Sequence, residues 1–192
     1  MLSNLIQFVL LISADEQVLQ IRCTAKALKQ FGIPSRETCE VQPADSLLGN
    51  WYCNLLTIDR RKCVLFMNEN TFLSFLLFGV RKDNSNSIPQ VFANGLSQLL
   101  TLEGFSETQI ERIFADYTSC EITKTEGRSA LGNLRDLMIN YEHSIMYDGG
   151  LKECDLGNII FKMNRMPQRN IGWKYSIDIV RMLVEADSRP ET

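Results

Sequence analysis

Residues 51–78 read WYCNLLTIDRRKCVLFMNENTFLSFLLF, and this stretch decides how the chain folds. Two apolar runs flank Asp59-Arg60-Arg61-Lys62, and a third follows Asn68-Glu69-Asn70. Runs of this length, rich in β-branched and aromatic side chains and bounded by polar turn residues, mark buried strands. The stretch therefore predicts a meander in which 53–58 pairs antiparallel with 62–67 through a tight loop at 59–61. That loop carries three consecutive cations, Arg60, Arg61 and Lys62, to the tip of a hairpin.

Outward from the meander, local signals place the remaining elements. Residues 19–23 read as a short strand. Thr24 caps a helix that turns Leu28 and Phe31 inward and stops at Gly32. Residues 34–50, broken by Pro34, Pro43 and Gly49, offer no regular element. Residues 81–87 read as a solvated loop. Ser87 with Gln90 then forms a capping box for a helix bearing Phe92, Leu96, Leu99 and Leu100, and Ser106 with Gln109 repeats the signal after Gly104. Residues 119–125 alternate as an edge strand. A long helix over about 129–147 is predicted to bury Leu131, Leu134, Leu137, Met138, Tyr141 and Ile145. Asp155 caps the next helix, and Ser176 is expected to cap the last. The fold class is α+β: a mostly antiparallel sheet around the 51–78 meander, with helices packed chiefly on one face. Residues 19–185 form one domain, with an extension at 1–18 and a flexible tail at 186–192.

Composition narrows the possible functions. The chain has 192 residues, 45% of them hydrophobic and 22% charged, with a formal net charge of −3. No global charge draws it to nucleic acid, so a polyanion site must be a local patch. The cysteines at 23, 39, 53, 63, 120 and 154 lack zinc or redox spacing, and reduced thiols in the cytoplasm are expected. The N-terminal run LIQFVLLISA has no preceding basic residue and is too short to span a bilayer, so neither export nor a membrane partner is expected. No phosphate-binding glycine loop, metal-ligand spacing or nucleophile motif is present, and no cofactor is expected.

Three constellations can carry chemistry. Paired arginines on a rigid turn suit a bidentate anion, so Arg60, Arg61 and Lys62 are a candidate anion site; the alternative is a solvated turn whose charge Asp59 offsets. Residues 164–175 interleave Arg165, Arg169 and Lys174 with Trp173 and Tyr175, as a stacking, electropositive surface would. The alternative there is that both aromatics bury against the core. Asp136 and His143 supply a hydrolytic pair only if the fold brings them together.

Four stretches, IRCTAKAL (21–28), LLGNWYCNLLTIDRRKCVLFMNENTFLSFLL (47–77), SALGNLRDL (129–137) and MNRMPQRNIGWKYSID (163–178), resemble a bacterial family described only as a domain of unknown function. Its hairpin reads W-x-x-N-L-x-T-I-x-R-R-K-C, so the resemblance adds Asn54 to the cations as a candidate site residue. It implies a single domain and no particular activity. Members tend to begin near the 19–23 strand, and they tend to carry Asn where this chain has Arg135.

These observations imply a cytoplasmic binding protein that takes an anionic ligand or a nucleic-acid backbone at Arg60, Arg61, Lys62, Arg165 and Asn54. The alternatives are a hydrolase or nuclease using Asp136 and His143, and a protein-partner module using the sheet edge at 119–125. Oligomeric state is not legible.

Overall fold

The computed structural model describes residues 18–44, 46–79 and 88–187. The expectations for the N-terminal extension, the 81–87 loop, the Ser87 cap and the end of the tail fall outside these residues. The elements run β1 (Val18–Cys23), α1 (Ala25–Phe31), β2 (Trp51–Ile58), β3 (Arg61–Asn68), β4 (Ser74–Phe78), α2 (Ile88–Leu102), α3 (Glu107–Ala115), β5 (Ser119–Lys124), α4 (Arg128–Tyr147), α5 (Leu156–Met163) and α6 (Ser176–Ala186).

The meander forms as its sequence dictates. β2 pairs antiparallel with β3 from Trp51↔Asn68 to Ile58↔Arg61, and β3 pairs antiparallel with β4 from Met67↔Ser74 to Cys63↔Phe78. The rest of the sheet is parallel, in the order β4-β3-β2-β1-β5. The sheet is thus mixed, and the expected antiparallel majority holds only for the meander. The reason is connectivity: α1 lies between β1 and β2, and a helical crossover returns the chain in the same direction. The α2–α3 pair does the same between β4 and β5.

Both faces of the sheet are covered. Leu19, Ile21, Trp51, Cys53, Phe66 and Phe75 point to one side and pack under α1, α2, α3 and α6. Tyr52, Leu56, Leu65, Met67 and Leu76 point to the other and pack under α4 and α5. The helical cover is therefore distributed over two faces, four helices against two among the described residues. This follows from strands apolar on both sides, which leave no face fit for solvent.

Local signals hold at most boundaries. Thr24 accepts from the Ala27 amide, Gly32 is left-handed at φ 70°, and Ser106 with Gln109 completes the capping box. Two readings are corrected. Ser176 is the buried first residue of α6 rather than its cap, and Tyr175 takes the cap position without a side-chain bond. Leu131, expected inward, is exposed on α4.

The hairpin turn is shorter than expected. Arg61 already belongs to β3, which leaves Asp59 and Arg60 as a two-residue turn with φ of 48° and 61°. Positive φ at both positions is the type I′ conformation that matches strand twist. It favours glycine at the second position, yet arginine stands there. Replacing Arg60 with Gly should raise stability by about 1 kcal/mol by removing the left-handed penalty. Urea unfolding measures this, and a loss of stability would show that the arginine side chain holds the turn.

Candidate functional site

The hairpin tip is held from the side by its own acidic residue. Asp59 Oδ2 accepts the Leu151 amide at 2.7 Å, and Gly150, at φ 89°, leaves no room for a Cβ beside that carboxylate. Asp59 thus satisfies the turn after α4. Lys62 Nζ donates to Thr57 Oγ1 at 3.2 Å. Arg60 is exposed and Arg61 half-buried, and neither makes an ion pair among the described residues.

The other expected members lie elsewhere. Asn54 is half-buried on β2. It accepts the Thr24 hydroxyl at 2.6 Å and donates to the Met138 sulfur, so it joins the start of α1 to α4. Arg165 grips Glu103, just past α2, through two bonds of 2.8 and 2.7 Å. Its guanidinium also lies 3.4 Å from the centre of the Phe161 ring. Its neighbour Asn164 bonds to Ser74, at the end of β4 far from the tip. Six strand residues separate Arg61 from Met67, the partner of Ser74, which is about 20 Å. The fold therefore does not gather Arg165 with Arg60 and Arg61, and Arg165 is occupied by a structural partner.

The 168–175 loop presents the second constellation outward. Gln168 N–H donates to Lys174 O at 3.0 Å, Trp173 N–H donates to Gln168 O at 2.9 Å, and Asn170 Nδ2 reaches Asn133 Oδ1 on α4 at 2.8 Å. Trp173 is 68% exposed at φ 61°, and Tyr175 is 41% exposed. Burial of these aromatics against the core is thereby replaced by display, with the exposed Arg169 and Lys174 beside them. A tryptophan at positive φ is a genuine outlier, and such strain persists only where the surroundings over-determine it.

Asp136 and His143 are both exposed on α4, seven residues and about 10.5 Å apart along the axis, beyond any direct hydrogen bond. His143 instead lines an open groove of about 280 Å³ between α4 and α5, with Tyr147, Asp148 and Lys162. Among the described residues no three His, Cys, Asp or Glu side chains converge as a metal set.

The sheet edges are partly sealed. Cys39 N–H donates to Ile122 O and bridges to Thr123, which covers part of β5. On β4, Asn164 takes the Ser74 backbone and Leu76 is inaccessible. All six cysteines are free. Burial pushes the Cys53 thiol well up and the Cys120 thiol up to about 12, so these buried sulfurs are poor nucleophiles.

Fold and geometry define an α+β domain that displays Trp173 and Tyr175 outward on the 168–175 loop. Residues 20–179 match the profile of a domain of unknown function (DUF6933), and the chain belongs to that family. No curated protein gives a significant match.

Glu103 and Asn164 escaped sequence reading, because a buried carboxylate is recognisable only through a partner that lies 62 positions away. The Glu103 side chain is fully buried. Replacing Arg165 with Ala should therefore cost about 3 kcal/mol by leaving that carboxylate unpaired. Replacing Glu103 with Gln and Arg165 with Met together should recover much of the loss. Denaturant unfolding of the wild type and these two variants decides the matter, and an unchanged midpoint for the single variant would remove the structural role.

Proposed function

We propose that this protein is a cytoplasmic binding protein for a ligand that combines an aromatic ring with an anionic group, as a nucleotide does. We place the ligand on the 168–175 loop. The observation that carries this reading is Trp173: a bulky aromatic held in a left-handed conformation and displayed to solvent, flanked by Tyr175, Arg169 and Lys174. Stacking on such a ring accepts any base, and adjacent cations attract phosphate. The net charge of −3 disfavours long-range attraction of a polyanion, so the ligand is a free nucleotide or a short single strand. The six free cysteines fit a reducing compartment, and no helix among the described residues is long and apolar enough to cross a membrane.

The chain has two tryptophans, and Trp51 is buried with its indole N–H bonded to Tyr117. Emission changes on titration therefore report Trp173. A mononucleotide and a short oligonucleotide at low salt should quench it, and added salt should weaken the effect. Trp173→Gly should abolish binding while stability stays level or rises by up to about 1 kcal/mol as the left-handed strain is relieved. Absence of quenching by both ligands, or undiminished binding in the variant followed by calorimetry, would refute this reading.

A second reading is favoured by the guanidiniums of Arg60 and Arg61, which make no ion pair among the described residues and whose neighbour Asp59 is engaged by the Leu151 amide. Here the tip takes a phosphate or carboxylate by itself. Replacing both arginines with Ala should abolish phosphate binding in calorimetry and leave the unfolding midpoint nearly unchanged, because neither guanidinium makes an ion pair among the described residues whose loss would cost stability. Equal binding by wild type and variant would reduce the tip to a solvated turn.

A further inference from the structure

α4 is apolar on two sides. Its inner face buries Leu134, Leu137, Tyr141 and Ile145. Its outer face carries Leu131, Arg135, Ile139, Glu142 and Met146, at spacings of four, four, three and four, which place them on one stripe along the helix. Leu131 is 37% exposed, Ile139 52% and Met146 53%. The stripe is thus a row of exposed apolar side chains interrupted by one cation and one anion. Arg135 and Glu142 are seven residues and about 10.5 Å apart, too far to pair within the helix. Neither makes an ion pair elsewhere among the described residues.

The stripe has a symmetry of its own. The pair Leu131 and Met146 and the pair Arg135 and Glu142 share one centre, between Met138 and Ile139. A two-fold axis through that point lays a second α4 antiparallel on the first. Leu131 then meets Met146 of the second copy, Ile139 lies beside its counterpart, and Arg135 meets Glu142 of the second copy twice over. An isologous contact requires such self-complementarity. Parallel packing would instead set Arg135 against Arg135 and Glu142 against Glu142, and antiparallel helix dipoles add a small preference in the same direction.

We infer that the outer face of α4 is a homodimer interface, in which a second copy of this chain packs its α4 antiparallel about an axis between Met138 and Ile139. The inference is independent of the ligand proposed for the 168–175 loop. The seam from Leu131 to Met146 spans about 22 Å, short for an obligate interface, so the dimer is reversible with a dissociation constant in the micromolar range.

The charges make the test specific. Sedimentation velocity on the full chain, from about 1 µM to about 1 mM, should show a monomer–dimer equilibrium. Arg135→Glu alone sets like charges together at two symmetric positions and should weaken the dimer at least about tenfold, as should Glu142→Arg alone. The double variant exchanges the charges across the axis and should return to within a few-fold of wild type. Both positions are exposed, and circular dichroism with thermal unfolding checks that each of the three variants remains folded. Ile139→Cys should add an intermolecular disulfide on mild oxidation, beyond any formed by the parent through its exposed Cys39. A chain monomeric across the range overturns the inference. So does a dimer that ignores Arg135→Glu, or single-variant losses that the double variant fails to repair, since each would place any contact elsewhere.

Discussion

Two adjacent side chains, Asn164 and Arg165, fasten the layers of this domain to one another. Asn164 Oδ1 accepts the Ser74 amide at 2.8 Å, and its Nδ2 donates to Ser74 O at 2.8 Å, the two bonds a neighbouring strand would supply. The Tyr141 hydroxyl lies 3.1 Å from Ser74 Oγ, so α4 closes on the same point. Arg165 then reaches across the sheet edge to Glu103, whose main-chain oxygen also accepts from Arg181 on α6. One dipeptide thereby ties the α5 layer to β4, to the end of α2 and to α6. An unpaired edge strand invites association with other chains, and here the edge is occupied by a side-chain amide acting as a strand. The cost of removing it lies in what it would leave behind: open backbone groups on β4 and a buried carboxylate without its counter-charge.

A polar assembly does comparable work on β1, where residues 40–42 bond to the buried side chains of Gln20 and Arg22. Gln20 and Arg22 on β1 alternate with the buried Leu19, Ile21 and Cys23 and so face the opposite side. Gln20 donates to Glu40 O and accepts the Gln42 amide, both at 2.9 Å. Arg22 donates to Gln42 O at 3.0 Å and pairs with Glu69 at 2.7 Å, while Asn50 holds Gln42 O from the other side. The long 34–50 connection, whose described residues form only a 3-10 turn at Ser35–Glu37 and a single bridge at Cys39, is therefore ordered largely by buried side chains of the sheet. Composition suggests no regular element in this segment; it misses the short 3-10 turn at Ser35–Glu37 and cannot show which side chains hold the rest.

The same contrast separates what was legible in the sequence from what was not. Thr24, Gly32, Ser106 with Gln109 and Asp155 act within a few residues of themselves, and each stops or starts a helix where local chemistry places it. The hairpin is equally local, and only Arg61 moves, from loop to strand. The parallel position of β1 depends on partners 30 and about 100 residues away, and no periodicity encodes which strand will lie beside it. Arg165 carried the pattern of a ligand-binding cation because its partner Glu103 is invisible at that distance. Leu131 fits a core position by period because α4 is apolar on both sides, and period alone does not tell a buried stripe from an exposed one. Trp173 left two readings open, display or burial against the core, and only the backbone, which turns it outward, decides between them.

That outward turn is sustained by the scaffold beneath it. The loop bearing Trp173 begins at Asn164 and Arg165, and Asn164 O accepts the Ile177 amide at 3.3 Å, so its two ends are pinned together. Compact loops with closed ends hold their shape through their own contacts, and here Gln168 closes on Lys174 while Asn170 leans on Asn133. The strain at Trp173 is thus carried by the same dipeptide that holds the helical layers. Asn133 stands about 160° round α4 from Arg135, so the helix supports the loop with one side and leaves the Leu131–Met146 stripe clear on nearly the opposite one. Two copies joined along the stripe would keep both loops open to solvent. The geometry of one helix therefore lets the outward-facing Trp173 loop and the self-complementary stripe coexist without competing for the same side chains.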